Sequence, residues 1–417
     1  MYNIPTGKRT YVLICGFSNV VAGGPIYHRN KLKYLEERGW RTVVISIGKA
    51  FNVRINGLEK YEGTGVSFLH YLPGEFSKSQ FERKLDVLQS FIPSDASDII
   101  IETGTCFSAY WGEALAARLK AKHCFWFIDE HFDSINKDNI GFYKFKYDRG
   151  ELACIDKNAM YRLFKPYYDI PLEKCFSLDF ECSNVVEDIN HPFTTLIPKC
   201  DYNMGMIGRL EKGFVPVIID GVKEFANQHS DKTIALVLFG GAFVATTVEE
   251  IKNNVSDVPN INLLISDYIF PLPLKALQKC DIFFSGAGSS WVTSRLLIPT
   301  VRMDVASFEP VGFIVDSDQC LLEKALTGNK VIDYLNQAFI QKAIPQIKAP
   351  AESPLDMWKT VCAAFDKHME FLAKSDKKND YYNVRCFPLP LKLKVKKIIR
   401  SLFGLKISSL FLKSAGV

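Results

Sequence analysis

"YNMGMIGRLEKGFVPVIIDGVKEFANQH", residues 202–229, runs almost directly into "TIALVLFGG", residues 233–241. An apolar run of strand length ends at Gly208, a helical pattern follows, and a second apolar run ends at Gly240-Gly241. Continuous apolar runs alternating with helices predict a parallel sheet covered on both faces. Gly205 and Gly208 flank the end of the first run, and Arg209 and Lys212 follow within one turn's reach. Two readings of that turn are open. It is a solvated basic turn whose Arg209 pairs with Glu211 or another surface carboxylate, or it is a pair of cations that hold a phosphate. In the second case Arg209 forks onto two oxygens, Lys212 adds a point charge, and the helix start adds amides.

The same rhythm continues downstream. A helix near 247–254, strand "NINLLIS", helix "PLPLKALQKC", strand "DIFFSG", helix "SSWVTSRLL" and strand "TVRMD" complete one Rossmann-like unit. Upstream, strand "TYVLICGF", the loop "SNVVAGG" and the helical "PIYHRNKLKYLEERG" lead into strand "WRTVVISIG". "SDIIIETG" and "HCFWFIDEH" flank the helical "SAYWGEALAARLKAK", so a second parallel sheet is expected there. The pattern weakens between about residues 144 and 198, where Pro166, Pro171, Pro192 and Pro198 punctuate it. The expected organisation is therefore α/β, with two Rossmann-like β/α/β domains facing a central cleft. The expected bounds are 1–198 for the first, N-terminal domain and 199–350 for the second, C-terminal domain. A helical segment at 351–380 and a basic amphipathic tail at 381–417 complete the chain.

At 417 residues the chain suits two ordinary domains, and 47% hydrophobic with 23% charged residues is a globular composition. The net charge of +5 is lopsided. From Tyr381 to the end there are eight Lys or Arg and no acid, which leaves about −3 on the first 380 residues (5 minus 8). A nucleic-acid partner, which needs a basic folded body, is disfavoured. Eleven scattered cysteines without C-x-x-C spacing read as free thiols in a reducing compartment. "YVLIC" is too short for a secretory core, and no run approaches a transmembrane span, so a cytoplasmic protein is expected. In the tail, Val395, Ile398, Ile399, Leu402 and Phe403 recur at helical steps opposite Lys396, Lys397 and Arg400. That pattern suits a helix lying on an anionic membrane surface, so a peripheral position on the membrane's inner face is expected.

Candidate site residues lie where predicted strands end, because ligands of open parallel sheets bind there. Gly23 and Gly24 precede a helix start and permit close approach of a ligand, but no G-x-G-x-x-G fingerprint is present. Gly240 and Gly241 end the strand after the basic turn. Gly286 and Gly288 with Ser289 and Ser290 form a small-residue turn able to cap a helix and cradle an anion. Asp129, Glu130, His131 and Asp133 cluster after "WFI" as acid–base candidates, with Glu102 in a parallel position. Glu309 follows the last clear strand and is expected to face the cleft. Asp316 and Asp318 read as N-caps of a helix over "CLLEKAL", and no metal is assigned. Tyr110 and Trp111 offer an apolar platform for a ligand, or belong to the core.

These stretches resemble the two-domain nucleotide-sugar glycosyltransferases of the GT-B fold, nearest to glycosyltransferase family 4, also called group 1. "GGPIYHRNKLKYLEERGWRTVVIS" looks like that family's glycine loop and first helix, and "MGMIGRLEKGF" resembles its G-R-L…K-G signature. "ALVLFGG" and "VGFIVDSDQCLLEKAL" are similar to further family segments. The resemblance implies that Arg209 and Lys212 bind the donor diphosphate, that Gly23 and Gly24 approach the donor, and that His131 lies beside the transferred sugar. It implies transfer from a nucleotide-diphospho-sugar to a saccharide or lipid-linked saccharide in surface polysaccharide synthesis, with no cofactor or metal. The chain departs from the family where two glutamates eight positions apart are usual: "SGAGSSWVTSRLLIP" carries Ser289, Ser290 and Ser294 instead. A sugar-nucleotide epimerase of the same fold and a non-catalytic scaffold are the alternatives.

Overall fold

The computed structural model describes residues 9–16, 21–48, 55, 57–61, 65–96, 98–104, 106–127, 137–155, 157–178, 184–286, 288–318, 321–323, 328–350, 356–375, 380–385 and 398. The first part of the chain alternates β1 (Arg9–Cys15), α1 (Gly23–Glu37), β2 (Arg41–Ile47), β3 (Gly65–Val66), α2 (Lys78–Gln89), β4 (Asp98–Thr103), α3 (Cys106–Leu119), β5 (Lys122–Phe127), α4 (Lys137–Asp148), β6 (Leu152–Cys154) and α5 (Lys157–Phe164). A connecting stretch holds β7 (Val186–Glu187) and α6 (Pro192–Leu196). The rhythm resumes with β8 (Tyr202–Ile207), α7 (Phe214–Gln228), β9 (Ile234–Phe239), α8 (Ala245–Val255), β10 (Ile261–Ile265), β11 (Leu272–Pro273), α9 (Leu274–Leu277), β12 (Ile282–Gly286), α10 (Gly288–Arg295) and β13 (Thr300–Met303). It closes with β14 (Pro310–Asp316), β15 (Leu321–Leu322), α11 (Val331–Leu335) and α12 (Met357–Lys374).

Two sheets result. The first runs β3-β2-β1-β4-β5-β6 and its pairings are parallel. The second runs β10-β9-β8-β12-β13-β14-β15, parallel through β13, with β14 and β15 antiparallel. Both are Rossmann-like, as the alternation of apolar runs and helices requires. Strands such as Ile234–Phe239 are buried along their whole length because helices cover both faces. On α7, Val215, Ile218, Ile219, Val222, Phe225 and Ala226 are buried at helical spacing; each large apolar one contributes about 1.5–3 kcal/mol by leaving water.

Several expectations need correction. The mixed stretch after residue 144 holds ordered α4, β6 and α5. Asp316 and Asp318 cap no helix: "GFIVD" is strand β14, which turns back on β15 at Leu321-Leu322. The Asp316 carboxylate accepts from the Asp318 amide (3.0 Å) and from Lys348 Nζ (2.9 Å). Tyr110 and Trp111 are core residues and no sugar platform: both are buried, with the Tyr110 hydroxyl on Asn139 (2.7 Å) and the Trp111 indole on the Tyr71 carbonyl (2.7 Å). The connecting stretch before residue 198 packs with the second sheet, since β7 pairs with β11 and Phe193 and Ile197 join that core. Helix α12 lies instead against the first part of the chain, with Phe365 and Leu372 beside Tyr11, Tyr27 and Tyr34. Among the described residues the cysteines are free, and no helix is long and apolar enough to cross a membrane.

Candidate functional site

In the second sheet the order reverses at β8, which has β9 on one side and β12 on the other. The loops that leave β8 and β12 therefore diverge and open a crevice at the strands' carboxyl ends. Both candidate loops, 208–213 and 286–290, are at this point. Their anchoring is tight. The Ile207 amide donates to Ser285 Oγ (3.1 Å), tying the end of β8 to β12. The amides of Gly208 and Leu210 donate to the carbonyls of Phe239 and Gly241 (both 3.1 Å), tying the turn to β9. The Gly240 amide donates to Ser266 Oγ (3.1 Å), which donates to the Asp267 carbonyl (2.6 Å).

Two glycines are required by this packing. Gly208 has φ +148°, a conformation that favours glycine. A Cβ on Gly240 would lie 1.9 Å from the Gly208 carbonyl oxygen. Gly241 packs against Asp267 and Tyr268, and Gly286 packs against the Phe214 ring and the Met303 carbonyl.

The structure separates the charges of the basic turn. Glu211 does not neutralise Arg209: its carboxylate accepts from the Val244 amide (3.0 Å) and from the Phe243 amide, holding the loop before α8. Arg209 is exposed, and its guanidinium has no hydrogen bond or ion pair among the described residues. Lys212 folds back over Gly208, with Nζ 3.3 Å from the position of a Cβ there and 5.4 Å from the Phe214 ring centre. Helix α7 begins just after Gly213 with no acid in its first turn, so its positive end is uncompensated by side chains. Helix α10 likewise starts at Gly288 without a first-turn acid, with Ser289 half-buried and Ser290 buried. Glu309 is exposed in the loop after β13; the neighbouring Phe308 ring covers Gly213 at the start of α7.

The first sheet reverses between β1 and β4. Gly23 and Gly24 form the first turn of α1. Asp129, Glu130, His131 and Asp133 lie outside the described residues. Glu102 is no cleft residue. It is fully buried, with Oε2 accepting from the hydroxyls of Tyr27 (3.2 Å) and Tyr11 (2.5 Å). Burial raises its pKa, while the Lys31 charge opposes that rise. Glu102, Cys124 and His368 bring a carboxylate oxygen, a thiol and a ring nitrogen within 4.8 Å of one another. The Lys31 ammonium, 3.1 Å from His368 Nδ1, supplies a positive charge beside them.

His28 escaped the sequence reading. It lies on α1 one turn beyond the two glycines, with Nε2 3.6 Å from the position of a Cβ on Gly104, at the end of β4. Burial lowers its pKa to about 3, so the ring is neutral near pH 7. The only sequence signal is its place in the first turns of the helix that follows the glycine loop.

No protein family model matches the chain, and no curated protein matches it. Solved structures do. A glycosyltransferase from Rickettsia africae is 13% identical over 98% of this chain and 99% of its own, with a TM-score of 0.51. The Anabaena HepE protein, solved with UDP-glucose, is 11% identical over 95% of this chain and 100% of its own, with a TM-score of 0.50. A UDP-N-acetylglucosamine 2-epimerase from Rickettsia bellii is 11% identical over 88% of this chain and 98% of its own, at a TM-score of 0.46. The chain thus has the GT-B type of fold, two Rossmann-like units. At these identities the likeness is one of fold.

Proposed function

We propose that this protein is a glycosyltransferase that takes a sugar from a nucleotide-diphospho-sugar held at the carboxyl edge of the second sheet. The observation that carries this reading is Arg209, an exposed cation without an ion-pair partner among the described residues, beside an uncapped helix start at a switch point. Unneutralised positive charge at such a point suits a diphosphate. Arg209 and Lys212 would bind the two phosphates, and the amides at the starts of α7 and α10 would add donors. The negative charge that develops on the departing nucleoside diphosphate would be stabilised by those groups. An acceptor hydroxyl, on a saccharide or lipid-linked saccharide, would attack the anomeric carbon and lose its proton to Glu130 or His131. The fold shared with HepE, whose structure contains UDP-glucose, supports a sugar-nucleotide ligand. The basic tail would hold the enzyme at an anionic membrane where such acceptors are presented.

The test is a panel of nucleotide sugars screened for thermal stabilisation of the full chain, since a ligand of the native state stabilises by mass action. Selective stabilisation by one sugar nucleotide, followed by transfer to an added acceptor, is expected. Failure of every nucleoside diphosphate and sugar nucleotide to bind would reject the reading.

A further inference from the structure

We infer that the α4–α5 face of the first Rossmann-like unit is the part of the folded body that rests on an anionic phospholipid bilayer, beside the point where the basic tail departs. This rests on the reading of the tail as a membrane-binding segment and adds a second, separate contact to it.

The first observation is where the chain is pinned before it leaves the described residues. The Tyr382 amide donates to Glu113 Oε1 (2.8 Å), the Tyr381 hydroxyl to the Ala121 carbonyl (3.0 Å), and Arg149 Nη1 to the Asp380 carbonyl (2.6 Å). Glu113 is itself buried and locked by Lys146 (2.5 Å) and His123 (2.8 Å), and Lys146 also holds Glu151 (2.7 Å). The Tyr382 ring sits on Phe142 and Phe145 of α4 at 5.2 and 5.5 Å, Val384 is buried in the same core, and Arg385 lies over Phe81 of α2. This root is a fixed point on the α2–α3–α4 side. Seven further basic residues, with no acid among them, follow Arg385 in the sequence, so the stretch that carries them begins from a defined place.

The second observation is on the other flank of α4. Lys165, Pro166, Tyr167, Tyr168 and Asp169 form an unbroken exposed stretch, and Leu172 is exposed after it. Tyr167, Tyr168 and Leu172 keep 43%, 36% and 40% of their surface in water, and the two tyrosine hydroxyls make no hydrogen bond among the described residues. Lys144 on α4 lies over the Tyr168 ring at 5.4 Å, and the same helix carries the Tyr382 ring on Phe142 and Phe145. Over 157–174 four basic residues (Lys157, Arg162, Lys165, Lys174) face two acids (Asp169, Glu173).

An isolated exposed tyrosine needs no explanation. Two adjacent ones with an exposed leucine four residues on, in a stretch of net positive charge and beside the helix that also carries the root of a basic amphipathic segment, fit a bilayer interface. Tyrosine places its ring at the acyl boundary and its hydroxyl among head groups. Binding to a bilayer scales with the apolar area buried and the positive charge brought to it, so exposed aromatic area on the folded body adds to what the tail supplies.

The experiment is co-sedimentation of the full chain with phosphatidylglycerol–phosphatidylcholine vesicles and with pure phosphatidylcholine. It compares wild type, the pair Tyr167→Ser and Tyr168→Ser, and the triple Lys396→Glu, Lys397→Glu and Arg400→Glu. Leu196→Ser, on the exposed face of α6, is the control. Binding only to the anionic vesicles is expected, weakened about tenfold by the tyrosine pair and at least tenfold by the tail triple, with unfolding midpoints unchanged. If the tail triple loses binding while the tyrosine pair binds like wild type, this inference fails and the tail reading stands. If the tyrosine pair weakens binding and the tail triple does not, the tail reading fails, and the two-contact inference that rests on it fails with it. Wild-type binding by both variants, or a tyrosine-dependent dimer without lipid, overturns the inference.

Discussion

Replacing Arg209 with alanine isolates the charge that the second sheet leaves unneutralised. The side chain is exposed and makes no hydrogen bond or ion pair among the described residues, so its removal leaves no buried partner behind. The stability change in urea is therefore expected within about 0.5 kcal/mol of wild type. Binding is different. A hydrogen bond to a charged group is worth about 1.5–3 kcal/mol, and a forked guanidinium at an exposed edge delivers roughly that total from two bonds. The expected loss of nucleoside-diphosphate affinity is thus about 10- to 150-fold. Calorimetric titration with UDP and GDP at two salt concentrations reads this directly, and the wild-type advantage shrinks at high salt because the site is open to screening. Arg209→Lys keeps the charge and loses the fork, so its affinity falls between the two. A correctly folded Arg209→Ala protein that binds UDP and GDP like wild type would refute the assignment of the turn as a phosphate clamp.

Gly240→Ala forces a methyl group onto the Gly208 carbonyl oxygen, 1.9 Å away, in a turn held by hydrogen bonds to β9. A loss of about 3 kcal/mol in urea unfolding, with nucleotide binding abolished, is expected; a wild-type midpoint would show that the turn is loose. Lys31→Met removes the cation beside buried Glu102 and should cost about 3–5 kcal/mol, much of it restored by adding Glu102→Gln. Simple additivity of the two changes would contradict that coupling. Glu113 is held near pKa 2 because Lys146 and His123 outweigh the cost of its burial, and burial first, then Lys146, lowers His123 to about 4. Both groups bind fewer protons folded than unfolded, so their stabilisation is complete above about pH 6.5 and is lost as the pH falls through 4 toward 2. The Glu113 share is about 3 kcal/mol; Glu113→Gln should flatten the acid limb of stability against pH, and an unchanged limb would rule out this source.

The two parallel sheets were legible because strands covered on both faces must be apolar throughout, and runs such as Ile234–Phe239 are. Segment β14 hid itself. Pro310 and Gly312 weaken a strand pattern, and the "LLEKAL" that follows reads as helix, yet pairing with β13 and β15 outweighs that local preference. Of the candidate site, the turns at Gly208 and Gly286 were legible because close packing at the strand ends demands glycine. Direction was not legible. Sequence places Glu102, Tyr110 and Trp111 near the ends of elements but does not say which side they face, and all three point into the core. The fate of Glu211 was equally hidden, since its partners are amides 32 and 33 residues away.

Transfer and epimerisation divide on the first sheet. An epimerase must pass a proton at the donor sugar between side chains, which takes carboxylates or other acid–base groups reaching that carbon. Glu102 is withdrawn from that set: fully buried, it has Oε2 engaged by two tyrosine hydroxyls, and Lys31 opposes its neutralisation. His28 contributes a neutral ring at the end of β4, suited to hydrogen bonding and too weak a base to carry a proton near pH 7. In the second sheet the turn and helix after β12 offer Ser289, Ser290 and Ser294, none of which titrates in water near neutrality. The acid–base demand of the proposed transfer would fall on residues 129–133 or on Glu309, the exposed carboxylate in the loop after β13. One base suffices for an acceptor hydroxyl, whereas epimerisation needs both members of a proton-passing pair. The exposed Arg209 after β8 and the single carboxylate sealed at β4, Glu102, suit the leaving-group stabilisation that the proposed transfer needs.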